Sequence, residues 1–420
     1  MNKTDINQII GVSESYQLPD ILLAKMLDDP SEMFEKFMAL GESLDHDWFT
    51  EYFEEEHANK SKMAQDFTPS EVCDLLAYVV GNAGTIADVC AGTGGLTIGM
   101  WKHNTDTEYI CYEYSSRAIP LLLFNLAIRN INALVCRCNL LTGEEFEYYR
   151  ISRGERFGIV CQLDAFPEVT VEAVVSNPPY SMKYDPKTDI RFPQYDGMLP
   201  SNFADYVFVA FALSILKDNG RAGFILPHGV LFRGKEEGLF RRKLIEDGIL
   251  RSVIGLADKL FINTDIPTCI LELRKDCNFD GILFIDASGE YEKIGKKNRL
   301  RLEHLKKIQT AFNKRTEQER FSHLASIQEI RENDFNLNIP RYVDTYVPEP
   351  IPDLVETMQK LGELEVEANK TKTELLKMVS QLYGTTLQAD QEHKRALKAY
   401  KRAVTSSADE YKQDVLKFDT

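Results

Sequence analysis

Residues 85–95 read TIADVCAGTGG, an apolar stretch that enters a turn with three glycines and then the helical pattern of residues 96–101. Glycine lets the backbone approach a ligand where a side chain would clash. Glu113 ends the next apolar stretch, 25 residues after Asp88, a spacing suited to hydrogen-bonding ribose hydroxyls. A glycine turn by itself also fits a purely structural turn, but the acid at 113 favours a nucleoside site. No Gly-Lys-Ser/Thr follows the turn, which excludes a P-loop.

Short apolar stretches alternate with helical patterns from residue 85 onward. This alternation predicts an α/β fold with a mostly parallel sheet that is covered by helices on both faces. Ligands of such sheets bind at the carboxyl ends of the strands. The predicted strands are 85–90, 109–112, 134–138, 171–176, 222–226, 252–256 and 269–273; predicted helices include 117–128 and 204–217, and residues 18–57 also have helical spacing.

The composition indicates an ordinary globular chain of 420 residues, with 44% hydrophobic and 27% charged residues. It contains no run of 18 apolar residues and no apolar segment near Met1, so we expect neither a membrane span nor a secretory signal. None of the eight cysteines forms a CxxC pair, so no metal site is predicted, and we expect reduced thiols in a cytoplasmic protein.

Charge is distributed unevenly along the chain. The net charge is −16, which argues against a protein that grips DNA over its whole surface. Residues 1–65 carry 14 acidic and 5 basic residues, whereas residues 293–315 carry 9 basic residues and one acid, Glu303. The basic strip Lys293–Arg315 fits a contact with phosphate groups and equally fits a solvated helix face.

The tetrapeptide Asn177-Pro178-Pro179-Tyr180 follows directly after the predicted strand 171–176. Two prolines cannot continue a central strand, so the chain must leave the sheet at its carboxyl end, beside the glycine turn. The Asn177 side-chain oxygen and the Pro178 carbonyl can accept both hydrogens of a planar exocyclic amine, which favours a pyramidal nitrogen with its lone pair aimed at a methyl group. Tyr180 offers a stacking face for a displaced base.

Three motifs together carry a family resemblance: Asp66-Phe67-Thr68-Pro69, the AGTGG turn at 91–95, and NPPY at 177–180. They resemble S-adenosylmethionine-dependent amino-methyltransferases that act on adenine N6, in the motif order of the gamma group. Further stretches resemble the modification subunit of type I restriction-modification systems. They are 226–234 (LPHGVLFRG), 253–256 (VIGL), 264–271 (TDIPTCIL) and 334–343 (DFNLNIPRYV).

The resemblance implies a Rossmann-like class I methyltransferase fold and assigns roles to residues of the motifs. It implies that S-adenosylmethionine is the cofactor and that a flipped adenine in double-stranded DNA is the substrate. The implied cofactor-binding residues are Asp66, Phe67, Thr68 and Pro69 at the methionine end, Asp88, Gly92, Thr93, Gly94 and Gly95 around the amino acid portion, Glu113 at the ribose and Asn139 at the adenine ring; the implied catalytic residues are Asn177, Pro178, Pro179 and Tyr180.

Three departures from the family pattern limit these assignments, and one of them is that Gln65 and Asp66 partly replace the aromatic and glycine residues that often precede the Thr-Pro. Asn139 stands where the family usually has an aspartate, and an amide accepts a hydrogen bond without carrying a charge. The helical N-terminal segment, which we place at residues 1–64, is shorter than the family's usual N-terminal domain. A function of that domain, such as sensing a hemimethylated site, is therefore not carried over.

The C-terminal residues predict an element for docking a partner. Pro348, Pro350 and Pro352 break the chain after a catalytic domain that we place at 65–346, and residues 347–420 then show two long helical patterns joined at Gly384-Thr385-Thr386. Their narrow apolar seam predicts a helical hairpin that packs on a partner, or alternatively only on its own sheet. The resemblance implies that the partner is a specificity subunit, in a complex with a second modification subunit and a restriction subunit.

Three functions fit these observations. The first is site-specific DNA adenine methylation as the modification subunit of a type I complex. The second is the same chemistry on a protein glutamine or on RNA, and the third is a non-catalytic scaffold of the same fold. The loop 181–202 holds basic and aromatic residues after the NPPY motif, a mixture that suits contact with a displaced strand and equally suits a mobile surface loop.

Overall fold

Helices cover both faces of one large sheet in the computed structural model. It describes residues 3–49, 52, 68–184, 191–200, 202–261, 264–276, 281–346 and 352–415, with side chains to residue 402. The described helices are α1 Lys3–Ile10, α2 Leu18–Leu27, α3 Ser31–Met38, α4 Ser70–Val80, α5 Gly95–Trp101, α6 Ile119–Ile128, α7 Asp205–Ile215, α8 Gly229–Phe232, α9 Lys235–Glu246, α10 Leu302–Lys314, α11 Ile327–Glu332, α12 Leu354–Ser380 and α13 Leu387–Val415.

The sheet has eleven strands in the order β13-β10-β8-β9-β7-β6-β1-β2-β3-β4-β5, and β11 and β12 form a separate two-stranded hairpin. The strands are β1 Thr85–Val89, β2 Glu108–Glu113, β3 Ala133–Asn139, β4 Glu144–Ser152, β5 Ile159–Leu163, β6 Val171–Ser176, β7 Leu216–Pro227, β8 Leu250–Leu256, β9 Thr268–Arg274, β10 Ile282–Ala287, β11 Glu292–Ile294, β12 Lys297–Arg299 and β13 Ser322–Ala325.

The expectation of a mostly parallel sheet was wrong. The centre, from β7 through β6, β1 and β2 to β3, is parallel. Both flanks contain antiparallel pairs, where β4 and β5 extend one side and β9 and β13 occur on the other. The predicted helix 204–217 was also too long, because the chain enters β7 at Leu216.

Successive side chains of the central strands enter two apolar layers, one on each face of the sheet. In β1, Ile86 belongs to the layer that includes α4 and α6, whereas Ala87 belongs to the layer that includes α7 and α9. This alternation is the normal period of a strand. It explains why the central strands are apolar throughout, since neither face meets water.

The N-terminal helices share the first of these layers. Phe37 of α3 packs edge-on against Phe124 of α6 with ring centroids 4.7 Å apart, and Trp48 stacks on Phe37. Residues 1–346 form one compact unit and residues 347–420 a second one. The domain boundary that we place at residue 64 stays a prediction, but the described N-terminal residues are part of the core of the first unit.

The second unit is a helical hairpin. Helices α12 and α13 flank the Gly384-Thr385-Thr386 segment, as predicted, and His393 Nε2 lies 2.9 Å from the Val379 carbonyl oxygen across the hairpin. None of the side chains of α12 is buried. No helix in the described part of the chain is both long enough and apolar enough to span a bilayer.

We predict that Phe37→Ala lowers the free energy of unfolding by about 3–5 kcal/mol, because it removes a ring from a closely packed aromatic cluster. Denaturant unfolding followed by tryptophan fluorescence measures this, since Trp48 and Trp101 both lie in the first unit. Phe232→Ala is the control, because that ring is 49% exposed. An unchanged midpoint for Phe37→Ala would show that α3 does not belong to the core.

Candidate active site

Parallel pairing of β1 with β6 creates the site. The register places Val89 opposite Ser176, the last residues of the two strands, and the Ser176 hydroxyl donates a 2.5 Å hydrogen bond to the Val89 carbonyl. Strands β1 and β6 therefore end at the same level of the carboxyl edge of the sheet. The glycine turn that follows β1 and the NPPY segment that follows β6 consequently lie side by side, as predicted.

The glycine turn is held by the acid at the end of the neighbouring strand. Glu113 Oε2 accepts a 2.8 Å hydrogen bond from the Gly92 N–H, and its Oε1 accepts a 2.7 Å bond from the Ser115 N–H. Gly92 and Gly94 have φ values of +58° and +98°, a region that favours glycine. Glu113 is thus buried and anchored to backbone amides before it contacts any ligand.

Asp88 lies beneath the turn, where it connects β1 to the start of α5. Its Oδ2 accepts hydrogen bonds from the Thr97 N–H (3.0 Å) and the Thr97 hydroxyl (2.6 Å), which satisfies a free amide of the first helical turn. Its Oδ1 is buried and has no hydrogen-bond partner among the described residues. Burial raises the pKa of the Asp88 carboxyl to about 7, and the charge of Glu113 contributes, while the bonds from Thr97 act in the opposite direction.

The asparagine of the NPPY segment is held at both ends of its amide. Asn177 Nδ2 donates a 2.9 Å hydrogen bond to the Thr68 hydroxyl oxygen, and the Tyr180 hydroxyl donates a 2.7 Å bond to Asn177 Oδ1. These two partners fix which way the amide points. A carbonyl oxygen has two lone pairs and can therefore accept more than one hydrogen bond.

The backbone just after Tyr180 is also fixed. Ser181 has φ +56°, and its N–H donates a 3.1 Å hydrogen bond to Asp205 Oδ1. Asp205 is fully buried, and its other oxygen accepts a 3.0 Å bond from Arg233, which lies in the stretch that carries the type I resemblance. This ion pair between a buried carboxylate and a partly exposed guanidinium holds the backbone that follows Tyr180 in place.

An acid from the N-terminal segment, Asp47, reaches the glycine turn, and the sequence reasoning missed it. The Thr93 hydroxyl donates a hydrogen bond to Asp47 Oδ2, and Asn125 Nδ2 donates a 2.6 Å bond to Asp47 Oδ1. Arg129 reinforces the contact by donating a 2.7 Å bond to the Leu44 carbonyl. The pairing could not be read from the chain because Asp47 lies among many acids and 46 residues before Thr93.

The structure brings most of the predicted site residues to this edge. Thr68 contacts the NPPY segment, and the turn residues Gly92–Gly95 lie beside it. Asn139 ends β3, two strands from β1, where its Oδ1 accepts a 3.0 Å hydrogen bond from the Leu141 N–H. Asp66 and Phe67 lie outside the described residues. The role of each residue stays a prediction.

The loop 181–202 does not present its aromatic residues to solvent. Tyr184, Phe192 and Tyr195 are buried, and Tyr195 packs on Phe240 with ring centroids 4.7 Å apart. Stacking of these rings on a displaced base would require them to leave the core. Lys187 lies outside the described residues, and Arg191 donates a 3.4 Å hydrogen bond to the Leu141 carbonyl.

The turn has the space and the chemistry to hold a nucleoside with a charged amino acid end. A Cβ added at Gly92 or Gly95 would meet no described atom within 4 Å, so both glycines border open space. The first amide groups of α5 and the unpartnered Asp88 Oδ1 lie at the same edge. These features fit the predicted cofactor. Fold and site together define a class I S-adenosylmethionine-dependent methyltransferase fold.

The family follows from a comparison with known protein families. Residues 45–349 match the family model described as N-6 DNA methylase. The match covers well over half of the chain. The chain therefore belongs to the N-6 DNA methylase family.

Curated relatives with similar sequences are methylase subunits of type I restriction enzymes. The MpnII methylase subunit of Mycoplasma pneumoniae is 28% identical over 335 residues, which cover 75% of this chain and 60% of that one. The MjaVIII methylase subunit of Methanocaldococcus jannaschii is 29% identical over 342 residues, which cover 77% and 56% of the two chains. This chain spans less than two thirds of the length of these relatives.

Solved structures with similar folds include two subunits of type I restriction systems. The type I restriction-modification methyltransferase subunit of Streptococcus thermophilus superimposes with a TM-score of 0.60 at 29% identity, over 78% of this chain and 67% of that one. The M protein of the type I restriction enzyme EcoKI gives 0.51 at 18% identity, over 92% and 91% of the two chains. The second likeness shows the fold alone.

We predict a pH-dependent difference in stability between the wild type and Asp88→Asn. The variant keeps an oxygen that accepts the Thr97 bonds but cannot ionise. Between pH 4 and about 7 the folded wild type holds a proton that the unfolded chain has lost, so its free energy of unfolding falls relative to that of the variant as the pH rises, and the difference is constant above this window. Denaturant unfolding at several pH values measures this.

Asp164→Asn removes an exposed carboxyl and serves as the control for loss of one charge. A difference between wild type and Asp88→Asn that is constant from pH 4 to 8 would contradict the prediction.

Proposed function

We propose that this chain is the modification subunit of a type I restriction-modification complex. It transfers the methyl group of S-adenosylmethionine to N6 of an adenine that is rotated out of double-stranded DNA. The observation that carries the proposal is the Asn177 amide, which Thr68 and Tyr180 orient beside the glycine turn. The relatives support it, because they are methylase subunits of type I restriction enzymes.

S-adenosylmethionine supplies a methyl group that is activated by a positive sulfur. We assign its amino acid portion to Asp88 and the turn Gly92–Gly95, because the buried Asp88 Oδ1 suits an ammonium group and the glycines border open space. Glu113 takes the ribose and Asn139 the adenine ring. Thr68 and Pro69, with Asp66 and Phe67, take the methionine end.

Asn177 and Pro178 act on the amino group of the substrate. The amine nitrogen of adenine is a poor nucleophile, because its lone pair is delocalised into the ring. Asn177 Oδ1 and the Pro178 carbonyl accept its two hydrogens, and this arrangement localises the lone pair. Bound S-adenosylmethionine would supply the methyl carbon to this nitrogen, with the carbon–sulfur bond as the bond that breaks, and one amine proton would leave to solvent. Pro179 fixes the backbone, and Tyr180 both holds Asn177 and stacks on the base.

Two alternatives use the same fold. A protein glutamine or an RNA base also presents a planar nitrogen, but the family to which the chain belongs favours DNA. A scaffold without turnover would not require the paired hydrogen bonds that orient Asn177. On these grounds we favour DNA adenine methylation over both alternatives. The proposed activity places the protein in the cytoplasm, where bacterial DNA lies.

The α12–α13 hairpin is the element that docks the specificity subunit in this proposal. Leu361, Leu364 and Leu375 lie on one side of α12 and are each about half exposed. An apolar seam on an otherwise polar helix is stabilised when another helix covers it. DNA sequence is then read by the partner, and a second modification subunit and a restriction subunit complete the complex.

We expect Asn177→Ala to lower methylation by about 100- to 1,000-fold, because it removes an oriented acceptor from the transition state. The assay uses labelled S-adenosylmethionine and unmethylated bacterial DNA, with and without a candidate specificity chain. Cofactor affinity, measured by calorimetry, stays nearly unchanged. Full activity of the variant, or label on RNA or protein alone with the wild type, would contradict the proposal.

Asn82→Ala is the matched control for this experiment. Asn82 is an exposed asparagine that precedes β1, so it lies at the opposite edge of the sheet from the site. We expect the control to methylate at the wild-type rate.

We expect Leu361→Lys combined with Leu375→Lys to abolish binding of the specificity chain, because both changes put charge into the apolar seam. Val366→Lys is the control, since Val366 is 72% exposed and lies on the opposite side of α12. Size-exclusion chromatography measures complex formation, and circular dichroism verifies the helices. Unchanged complex formation by the double variant would exclude this docking face.

A further inference from the structure

The small β11–β12 hairpin is separate from the main sheet and contains four of the nine basic residues of the strip 293–315. Its register pairs Lys293 with Asn298 and Ile294 with Lys297, so Gly295 and Lys296 form the turn. Gly295 has φ +62°, as a tight two-residue turn requires. We call the end of β11 together with the turn, residues 293–296, the tip, and the returning strand β12, residues 297–299, the base.

Side chains from two other elements anchor the base. Arg299 Nε lies 2.5 Å from Glu71 Oε1 at the start of α4, and Lys297 Nζ lies 2.9 Å from Asp265 Oδ1. Asn298 Nδ2 donates a 2.9 Å hydrogen bond to the Asp258 carbonyl just after β8. The hairpin is thus fixed relative to the carboxyl edge of the sheet, and its base cations are engaged.

The tip differs from the base in its charge balance. Lys293 and Lys296 are exposed and have no ion-pair partner among the described residues, and Ile294 between them is 44% exposed. In contrast, Arg301 pairs with Glu292 and Lys307 with Glu290. The two lysines flank the exposed apolar side chain of Ile294. This arrangement suits a polyanion that also has apolar surface.

The tip is also close to the proposed catalytic asparagine. Ile294 lines a cavity of about 270 Å³ together with Thr68, Pro69 and Leu260. Thr68 is the residue whose hydroxyl accepts the hydrogen bond from Asn177. Thr68 therefore contacts the Asn177 amide and also lines the cavity next to the tip.

We propose that the hairpin tip, residues 293–296, contacts the DNA duplex immediately beside the target adenine. Lys293 and Lys296 neutralise backbone phosphates, and Ile294 packs against the base pair next to the space that the rotated adenine leaves. This inference rests on the proposed function. It assigns the DNA contact of the basic strip to its first four residues rather than to α10.

Salt dependence of DNA binding tests the two lysines. Each phosphate contact contributes about 0.9 to the slope of log affinity against log salt, so Lys293→Ala with Lys296→Ala should reduce the slope by about 1.8. The assay uses the full chain with its specificity subunit and a duplex that has one adenine opposite an abasic site. Lys306→Ala with Lys314→Ala removes the same charge from exposed lysines of α10 that have no ion-pair partner in the part of the chain that the structure describes, and should leave the slope unchanged.

Ile294→Ser tests the apolar contact, because it keeps the lysines. We expect a wild-type salt slope, and at saturating DNA a methylation rate about tenfold lower, equal to the loss of about 1.4 kcal/mol of contact. The exposure of Ile294 means that the variant folds. A wild-type rate would remove Ile294 from the proposal.

The failures of the two proposals are distinguishable. If the wild type methylates DNA but the tip lysine variant keeps the wild-type slope, the tip does not contact DNA and only this inference fails. If the tip variant instead loses the specificity subunit, the tip is a protein-docking surface, which also overturns it. If the wild type methylates no DNA, the proposed function fails and the tip inference falls with it.

Discussion

The parallel pairing of two strands that are far apart in the sequence is the constraint on which the site depends. Val89 lies opposite Ser176, and a hydrogen bond between them closes the pair at the carboxyl edge. A shift of one residue in this register would turn every side chain of β6 to the other face and would bury the wrong set. Since both faces of the sheet are packed with helices, this register cannot shift without burying polar side chains. The positions of the glycine turn and of Asn177 follow from the register.

Beyond this pairing, the site is held by charged groups that bind backbone amides. Glu113 ties the glycine turn to β2, Asp88 binds the start of α5, and Asp205 fixes the segment after Tyr180. Each of these acids is almost completely buried. Burial of a carboxylate is tolerated where donors satisfy its oxygens, as they do for Glu113 and Asp205, whereas Oδ1 of Asp88 has no hydrogen-bond partner among the described residues. The same bonds preorganise the site, so that little structural adjustment is needed when a ligand binds.

The N-terminal segment is part of this organisation rather than an appendage. Asp47 receives hydrogen bonds from Thr93 and Asn125, and Arg129 binds the Leu44 carbonyl in the same segment. A movement of this segment would displace Asp47 and so disturb its hydrogen bond with Thr93 in the glycine turn. The acidic N-terminal segment therefore contributes to the shape of the proposed cofactor site.

The sequence permitted accurate prediction where local pattern and burial agree. The strands β1, β2, β3 and β6 and both motifs were found because fully buried strands give continuous apolar runs, and prolines or glycines mark their ends. The strand β4, which lies between β3 and the edge strand β5, was missed because its residues 144–147 are mainly acidic and exposed. The direction of β9 could not be predicted, since an apolar run has the same composition whether its neighbours are parallel or antiparallel. The Asp47 contact was missed because it is purely tertiary.

The proposed function divides the work between the two units. In that proposal the first unit carries the chemistry at the carboxyl edge of its sheet, and the hairpin of the second presents an apolar seam suited to another chain.

A crystal structure of the chain with S-adenosylmethionine bound tests the central claim most directly. We predict that the methyl carbon points toward Asn177 and leaves room for an amine nitrogen about 3–3.5 Å away, within hydrogen-bonding reach of Asn177 Oδ1. A cofactor bound elsewhere, or one whose methyl group is directed away from Asn177, would contradict it.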